Sequence, residues 1–295
     1  MAAPPPGARK VHSQGGTFYV LGDLRLGWRD LYHTFLRMRW SATLGLVALY
    51  FLVANLAFAG IYRCTGGVEN VHSFFDAVSF SVQTMATVGY GAMYPSGTAA
   101  TVVMIAESFI GLLWTALLTG LVFAKFSRPS TRITFAKHAV VARHEGIPTL
   151  QIRLGNRRGN VIVEANAHVS IVITTQTQEH NLFYKAVDLK LIRDRHVGLS
   201  RGWNLMHVID ETSPLWGMDQ AGAQKAELEI WVAITGIDDT SRQTVNTTHQ
   251  YMDGDVKWGM RFADTIVPLD NGEYMIDLTK FDDVVPDVPR RAAST

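Results

Sequence analysis

Two long apolar runs near the start of the chain restrict its fold more than any other feature. They are residues 41–62 (SATLGLVALYFLVANLAFAGIY) and 99–126 (AATVVMIAESFIGLLWTALLTGLVFAKF). The first carries no charge and one amide, Asn55. As helices they would measure about 33 and 42 Å, against a bilayer hydrocarbon core of about 30 Å. The first fits a membrane span, and the second must tilt or project beyond it. A single run of this kind is compatible with a buried soluble helix. Two within 126 residues predict a chain that crosses a membrane twice.

Basic residues give the orientation. Arg9, Lys10, Arg25, Arg29, Arg37 and Arg39 precede the first run, against Asp23 and Asp30, and Lys125, Arg128 and Arg132 lie at and beyond the end of the second. Between the runs Arg63 is opposed by Glu69 and Asp76. Positive charge stays inside, so both termini are expected on the cytoplasmic side and residues 63–98 outside. Residues 1–25 begin Pro/Ala-rich without a following apolar core, which predicts a disordered cytoplasmic arm and no secretory signal. Residues 26–40 place Trp28, Leu31, Tyr32, Phe35, Leu36 and Trp40 at spacings of three and four among arginines. This is the pattern of an amphipathic helix lying in the membrane interface, the alternative being a helix docked on a soluble domain.

Between the runs, residues 74–86 (FFDAVSFSVQTMA) repeat Phe74, Val78, Val82 and Met85 at helical spacing. Three turns are too few to cross a bilayer, so this helix enters partway. Thr87-Val88-Gly89-Tyr90-Gly91 follows at once. Non-helical backbone at such depth survives only where protein covers it or where it lines water. Gly89 and Gly91 permit the backbone angles that turn successive carbonyls to one side, and rings of carbonyl oxygens replace the hydration shell of potassium. Thr87 adds a hydroxyl oxygen, while Val88 and Tyr90 are expected to point away, Tyr90 wedging against neighbouring helices. One chain supplies one such loop and a cage needs four, so a C4 homotetramer is expected.

From about residue 133 alternation replaces the helical period. Residues 161–175, 182–192 and 227–235 read as strands of an antiparallel, immunoglobulin-like β-sandwich occupying 127–295. A net charge of +1 with 18% charged residues argues against both a disordered polymer and a nucleic-acid binder. The one cysteine, Cys64, excludes an intrachain disulfide. No GxSxG, P-loop, GxGxxG or HExxH appears, and His168, His196, His207 and His249 show no metal-ligand spacing. No enzyme is expected, and no cofactor beyond permeant potassium ions.

The run FDAVSFSVQTMATVGYG, then GLVFAKFSRP and FAKHAVV, resembles the prokaryotic inward-rectifier potassium channels (the KirBac family), as does WNLMHVIDETSPLWG at 203–217. The resemblance spans residues 22–285. It implies a two-span pore domain (spans 41–62 and 99–126, pore helix and filter 72–91) with a slide helix at 26–40. It further implies gating at the inner helix bundle, with Gly111 and Gly120 as bending points of the second span and Phe123 as the hydrophobic gate. Thr115 falls in the central cavity where strongly rectifying relatives carry an acid, which puts strong rectification at that site in doubt. Gln83 replaces a glutamate that many relatives have in the pore helix. Glu107 is then the lone carboxylate within the membrane, read as hydrogen-bonded behind the filter and either protonated or reached by water, with polar glue between helices as the alternative. Glu164 and Asp239 match acidic positions of the cytoplasmic vestibule, where Mg2+ or polyamine blockers would gather. Arg242, in the same loop region as Asp239, either points outward and pairs with an acid such as Asp238 or lowers conductance, the outward arrangement being the one expected. Arg37, Arg39, Lys125, Arg128 and Arg132 form a basic collar for anionic lipids, and the resemblance implies inhibition by phosphoinositides. A bacterial inner membrane fits. The competing reading is a membrane-anchored β-sandwich sensor without transport, which would need neither a second span nor TVGYG.

Overall fold

The computed structural model describes residues 9–13, 16–21, 31–128 and 131–288. Residues 1–8 of the expected arm, Arg25, and residues 26–30 of the expected interfacial helix, with Trp28 and Arg29, lie outside the described residues. The rest of the arm departs from expectation. β1 (Arg9–Ser13) pairs antiparallel with β2 (Gly16–Val20), from Arg9↔Val20 to Ser13↔Gly16. The local chemistry accounts for it: Val11, Phe18, Tyr19 and Val20 favour extended backbone. The chain divides into two units, Asp23–Arg128 and Met1–Gly22 with Pro129–Thr295.

The helical unit opens with α1 (Leu31–Arg37), followed by α2 (Trp40–Thr65). α2 closes on Gly66, whose N–H donates to Tyr62 O at 2.9 Å. Next come β3 (Val68–Glu69), α3 (Phe74–Met85), β4 (Tyr94–Pro95) and α4 (Thr98–Phe126). α3 starts where Ser73-x-x-Asp76 makes a reciprocal cap. Ser73 Oγ accepts from Asp76 N at 3.1 Å, and the Asp76 carboxylate accepts from Ser73 N at 2.8 Å. β3 pairs with β4, and Asn70 Nδ2 donates to Ala92 O at 2.7 Å, so the segment after Gly91 is tied back to the chain just beyond α2. Tyr50 of α2 stacks on Trp114 of α4 with ring centroids 3.7 Å apart. α2 and α4 are long and apolar enough to cross a membrane.

In the second unit ten strands follow in order: β5 (Ile133–Phe135), β6 (Ala139–His144), β7 (Ile147–Asn156), β8 (Ile162–Gln176), β9 (Leu182–Asp188), β10 (Arg195–Leu199), β11 (Gly202–Val208), β12 (Glu229–Asp238), β13 (Thr244–Met252) and β14 (Val256–Trp258). One sheet runs β10-β8-β12-β13 with β9 also on β8, and the other runs β11-β7-β6-β14 with β5 also on β7. All pairs are antiparallel except β14 on β6, so the expectation of a purely antiparallel sandwich is corrected at that edge. Ile230, Val232 and Ile234 of β12 are buried, while Trp231 and Ala233 between them are half-exposed. This is the two-residue period of a strand with one face inward. They join Leu150, Ile152 and Leu154 of β7 in a single core. Full burial of each such side chain stabilises the fold by about 1.5–3 kcal/mol.

The other face of β7 is covered by the C-terminal segment. Arg153 reaches it, donating to Ala263 O at 2.9 Å and lying 4.4 Å from the Phe262 ring centroid. Burial shifts the Arg153 guanidinium below its ordinary value, opposed by the charges of Asp264 and Asp282.

Candidate functional site

The residues that follow α3 are shaped by the way that helix ends. Ala86 caps it, and Thr87 takes a left-handed backbone, φ 56°. Thr87 N donates to Thr84 O at 3.1 Å, and Val88 N donates to Gln83 O at 2.8 Å. Together these are the two bonds of a Schellman termination, in which glycine is the usual left-handed residue. A β-branched residue there is held against its own preference. Gly89 (φ 58°) and Gly91 (φ 82°) continue the pattern, so every second residue from 87 to 91 is left-handed. Sequence reasoning identifies the two glycines and misses the threonine, because nothing in its type announces a positive φ.

The carbonyl end of α3 lies at the base of this segment. A helix C-terminus carries about half a negative charge, which favours a cation just beyond it. Val88 and Tyr90 side chains are left open by their own chain, Tyr90 being 78% exposed. Gln83 Nε2 donates to Ser79 Oγ at 3.2 Å on α3 itself.

Behind α3 lies a buried polar network. The Tyr62 hydroxyl of α2 donates to Glu107 Oε2 at 2.6 Å. The Ser81 hydroxyl of α3 sits between Asn55 Oδ1, 2.9 Å away, and the other carboxyl oxygen of Glu107. Asn55 Nδ2 donates to Phe51 O at 2.7 Å and approaches Met85 Sδ at 3.5 Å. Glu107 is 0% exposed, so contact with bulk water, one of the two environments expected for it, is not what the structure has. Its partners are on α2 and α3 and not among residues 87–91. Nothing in their spacing could have pointed to Tyr62, Ser81 or Asn55, which come together only through packing.

Gly111 of α4 meets the end of α3. A Cβ built on it would lie 2.7 Å from Met85 O and 3.2 Å from Met85 Cα. Gly120, by contrast, has open space around it, and α4 runs unbroken through both. Thr115 Oγ1 donates to Gly111 O at 2.9 Å. Thr115, Thr119 and Phe123 recur at steps of four along an exposed stripe of α4, Phe123 being 72% exposed.

At the end of α4 the basic residues separate into two kinds. Arg37, Arg39 and Arg132 are exposed, as is Arg128, whose Nη1 donates to Leu36 O at 2.7 Å. Lys125 is buried, 7% exposed, and its Nζ donates to Phe35 O (3.0 Å), Met38 O (2.7 Å) and Thr43 Oγ1 (2.7 Å). An ammonium has three protons, and all three are engaged. The expectation that Lys125 contacts lipid headgroups is thereby corrected.

In the sandwich, Glu164 is exposed with φ 50°, at the point where the β12–β8 register shifts. A bulge of this kind turns a side chain out of the regular alternation. Asp239 is less free than expected: its carboxylate accepts from Val161 N at 3.1 Å. The Asp238 carboxylate accepts from Thr240 N and Ser241 N, both at 2.9 Å, and from Asn160 Nδ2 at 2.5 Å. Those backbone bonds hold Asp238 below the usual carboxylate range, helped by the charge of Arg158, whose Nη1 lies 3.8 Å away. Arg242 touches Asp238 through its backbone, N–H to O at 2.8 Å. The expected pairing of the Arg242 side chain with Asp238 is corrected, because Arg158 and Asn160 already occupy that carboxylate.

Comparison with known proteins agrees in both units. A family model described as the inward rectifier potassium channel C-terminal domain matches residues 133–295, and one described as ion channel matches residues 45–128. The inward rectifier potassium channel Kirbac3.1 of Paramagnetospirillum magnetotacticum is 36% identical over 287 residues, covering 95% of this chain and 97% of that protein. The G protein-activated inward rectifier potassium channel 1 of Bos taurus is 31% identical over 287 residues, covering 90% of this chain and 55% of that longer protein. The ATP-sensitive inward rectifier potassium channel 11 of Oryctolagus cuniculus is 27% identical over 306 residues, covering 94% and 78%.

Proposed function

The chain belongs to the inward-rectifier potassium channels, and from that premise we propose how it conducts. It is a membrane channel and not an enzyme. Four copies assemble around the segment from Thr87 to Gly91. The carbonyls of Thr87, Val88, Gly89 and Tyr90, with the Thr87 hydroxyl, then bind potassium in place of water. The observation that carries this reading is the backbone itself: left-handed residues at 87, 89 and 91, directly after the carbonyl end of α3. An anchored sensor would gain nothing from that strain.

The remaining parts follow the same axis. Thr115 lines the cavity below the filter, and four copies of Phe123 close the path by dewetting. Gly120, with free space around it, is the bending point of α4. Gly111 packs against α3 and holds the filter's base. Glu164 and Asp239 lend negative potential to a cytoplasmic vestibule, attracting permeant and blocking cations such as Mg2+ or polyamines. Both termini lie on the cytoplasmic side of a bacterial inner membrane. Arg37, Arg39, Arg128 and Arg132 attract anionic lipid at about 1 kcal/mol each, and phosphoinositides lower the flux.

Rubidium uptake into liposomes, with barium as blocker, tests the conduction path. Wild type is expected to give barium-sensitive uptake, and Gly89→Ala to abolish it while leaving the protein assembled. Full uptake by Gly89→Ala would sink the filter assignment.

A further inference from the structure

Three oxygen–oxygen contacts link the side chains behind α3, and each needs a proton between its two atoms. Tyr62 Oη lies 2.6 Å from Glu107 Oε2, Ser81 Oγ touches Glu107 Oε1, and Ser81 Oγ lies 2.9 Å from Asn55 Oδ1. The Asn55 amide is oriented by its other partner. The carbonyl of Phe51 can only accept, so the atom 2.7 Å from it is Nδ2 and the atom facing Ser81 is the amide oxygen. The hydroxyls of Tyr62 and Ser81 supply one proton each. Two protons are thus offered to three contacts, and the third can come only from Glu107 itself.

The chain then has one direction. Tyr62 donates to Glu107 Oε2, Glu107 Oε1–H donates to Ser81 Oγ, and Ser81 donates to Asn55 Oδ1. Each buried oxygen has its partner. With an ionised carboxylate, one contact would set two acceptors against each other. Electrostatics agree: Glu107 is fully buried, and no ion pair among the described residues includes it. An unpaired charge in such a place is costly, and a hydrogen-bonded neutral acid avoids that cost.

The chain fixes α3, and α3 fixes the segment after it. Asn55 and Tyr62 belong to α2, Ser81 to α3 and Glu107 to α4. Asn55 Nδ2 also approaches Met85 Sδ at 3.5 Å, in the last turn of α3. In that turn Gln83 O and Thr84 O accept from Val88 N and Thr87 N. A displacement of α3 therefore carries the first carbonyls of residues 87–91 with it.

We infer that Glu107 is held as a neutral carboxylic acid and is a positioning residue for the filter, its own proton completing the brace across α2, α3 and α4. The inference rests on the reading of residues 87–91 as the filter. The role needs a donor and an acceptor at the end of the side chain, and no charge. Glutamine offers both at the same reach, and leucine offers neither.

The test uses the full-length channel in phosphatidylcholine liposomes at neutral pH. Infrared spectra of wild type are expected to show the carbonyl band of a protonated carboxylic acid, which Glu107→Gln removes. Ser81→Ala is expected to shift that band without removing it, because the acid keeps its proton and loses its acceptor. In barium-sensitive rubidium uptake, Glu107→Gln is expected to keep barium affinity within about twofold of wild type. Glu107→Leu and Ser81→Ala are expected to weaken it by about fivefold or more, each leaving buried polar groups unpaired. No difference in the acid band between wild type and Glu107→Gln, a band indifferent to Ser81→Ala, or equal losses in Glu107→Gln and Glu107→Leu would each overturn the inference. So would unchanged barium affinity in both Glu107→Leu and Ser81→Ala. Should Glu107→Leu fail to assemble, Ser81→Ala decides: a shifted band with weaker barium block supports the brace, and neither change removes it. Failure of the filter reading looks different. Gly89→Ala then keeps full uptake, while the acid band and its dependence on Ser81 stay as described.

Discussion

The two units bury opposite things. In the sandwich the interior is built on apolar side chains such as Leu150, Ile171, Ile230 and Ile234, and buried polar groups such as Arg153, His207 and Asp238 keep hydrogen-bond partners. In the helical unit, Asn55, Ser81, Glu107, Thr43 and Lys125 are inside, while Leu44, Leu49, Phe109, Leu112 and Leu117 are exposed. The first arrangement is what water imposes, since apolar surface is driven out of it. The second suits a solvent as apolar as leucine, where helices gain nothing from hiding hydrophobic faces and are joined by packing and hydrogen bonds. The difference teaches which contacts to break. Stability of the sandwich resides in apolar volume, and integrity of the helical unit resides in a few close approaches and polar links.

The sharpest way to break the comparison is at Gly111. Gly111→Ala forces a methyl to within 2.7 Å of Met85 O, against backbone that cannot yield cheaply. It is expected to reduce barium-sensitive rubidium uptake by tenfold or more, whereas Gly120→Ala keeps the filter intact and barium affinity unchanged. Equal losses of barium affinity in both would mean that Gly111 acts as a bend and not as a contact. In the sandwich, Leu150→Ala is expected to cost about 2–5 kcal/mol, seen as a lower unfolding temperature of the full-length protein with barium block unaltered.

The smallest effect is one of pH. His249 stacks on Phe135 at 5.0 Å and meets Tyr251 edge-on at 4.5 Å, and desolvation holds it below its ordinary value of 6.5, Asp255 opposing. The unfolded chain therefore takes up a proton before the folded one does. The sandwich loses stability as pH falls from 6.5 through the lower folded value, and the loss levels off below it. The unfolding temperature of His249→Phe should fall less than that of wild type between pH 7.5 and pH 5. Parallel curves would show that His249 is not the group responsible.

Much of this was legible from residues alone, for reasons that differ by region. The spans needed only length and polarity. α3 was readable from Phe74, Val78, Val82 and Met85, because periodicity is local. The strands of the sandwich were readable wherever one face is buried, as in β12. β1 and β2 were less legible, because the Pro/Ala-rich residues before them suggest disorder and the β-formers within them are few. The parallel β14 edge was missed because pairing partners far apart in sequence leave no periodic trace.

At the proposed filter, the sequence by itself determined which residues could serve: two glycines, a threonine and a tyrosine, between two apolar runs and after a short helix. It also set the expectation of four copies, since one loop makes one side of a cage. Only the tertiary structure decided that Thr87 completes the left-handed alternation. It alone showed that Glu107 answers to Tyr62 and Ser81, that the Asp238 carboxylate is held by Asn160 and the N–H groups of Thr240 and Ser241, and that Lys125 faces inward. The reason is physical. Backbone preference and hydrophobic period belong to a residue and its near neighbours, but the partner of a buried charge or amide is set by which helix ends and strands packing brings within three ångströms.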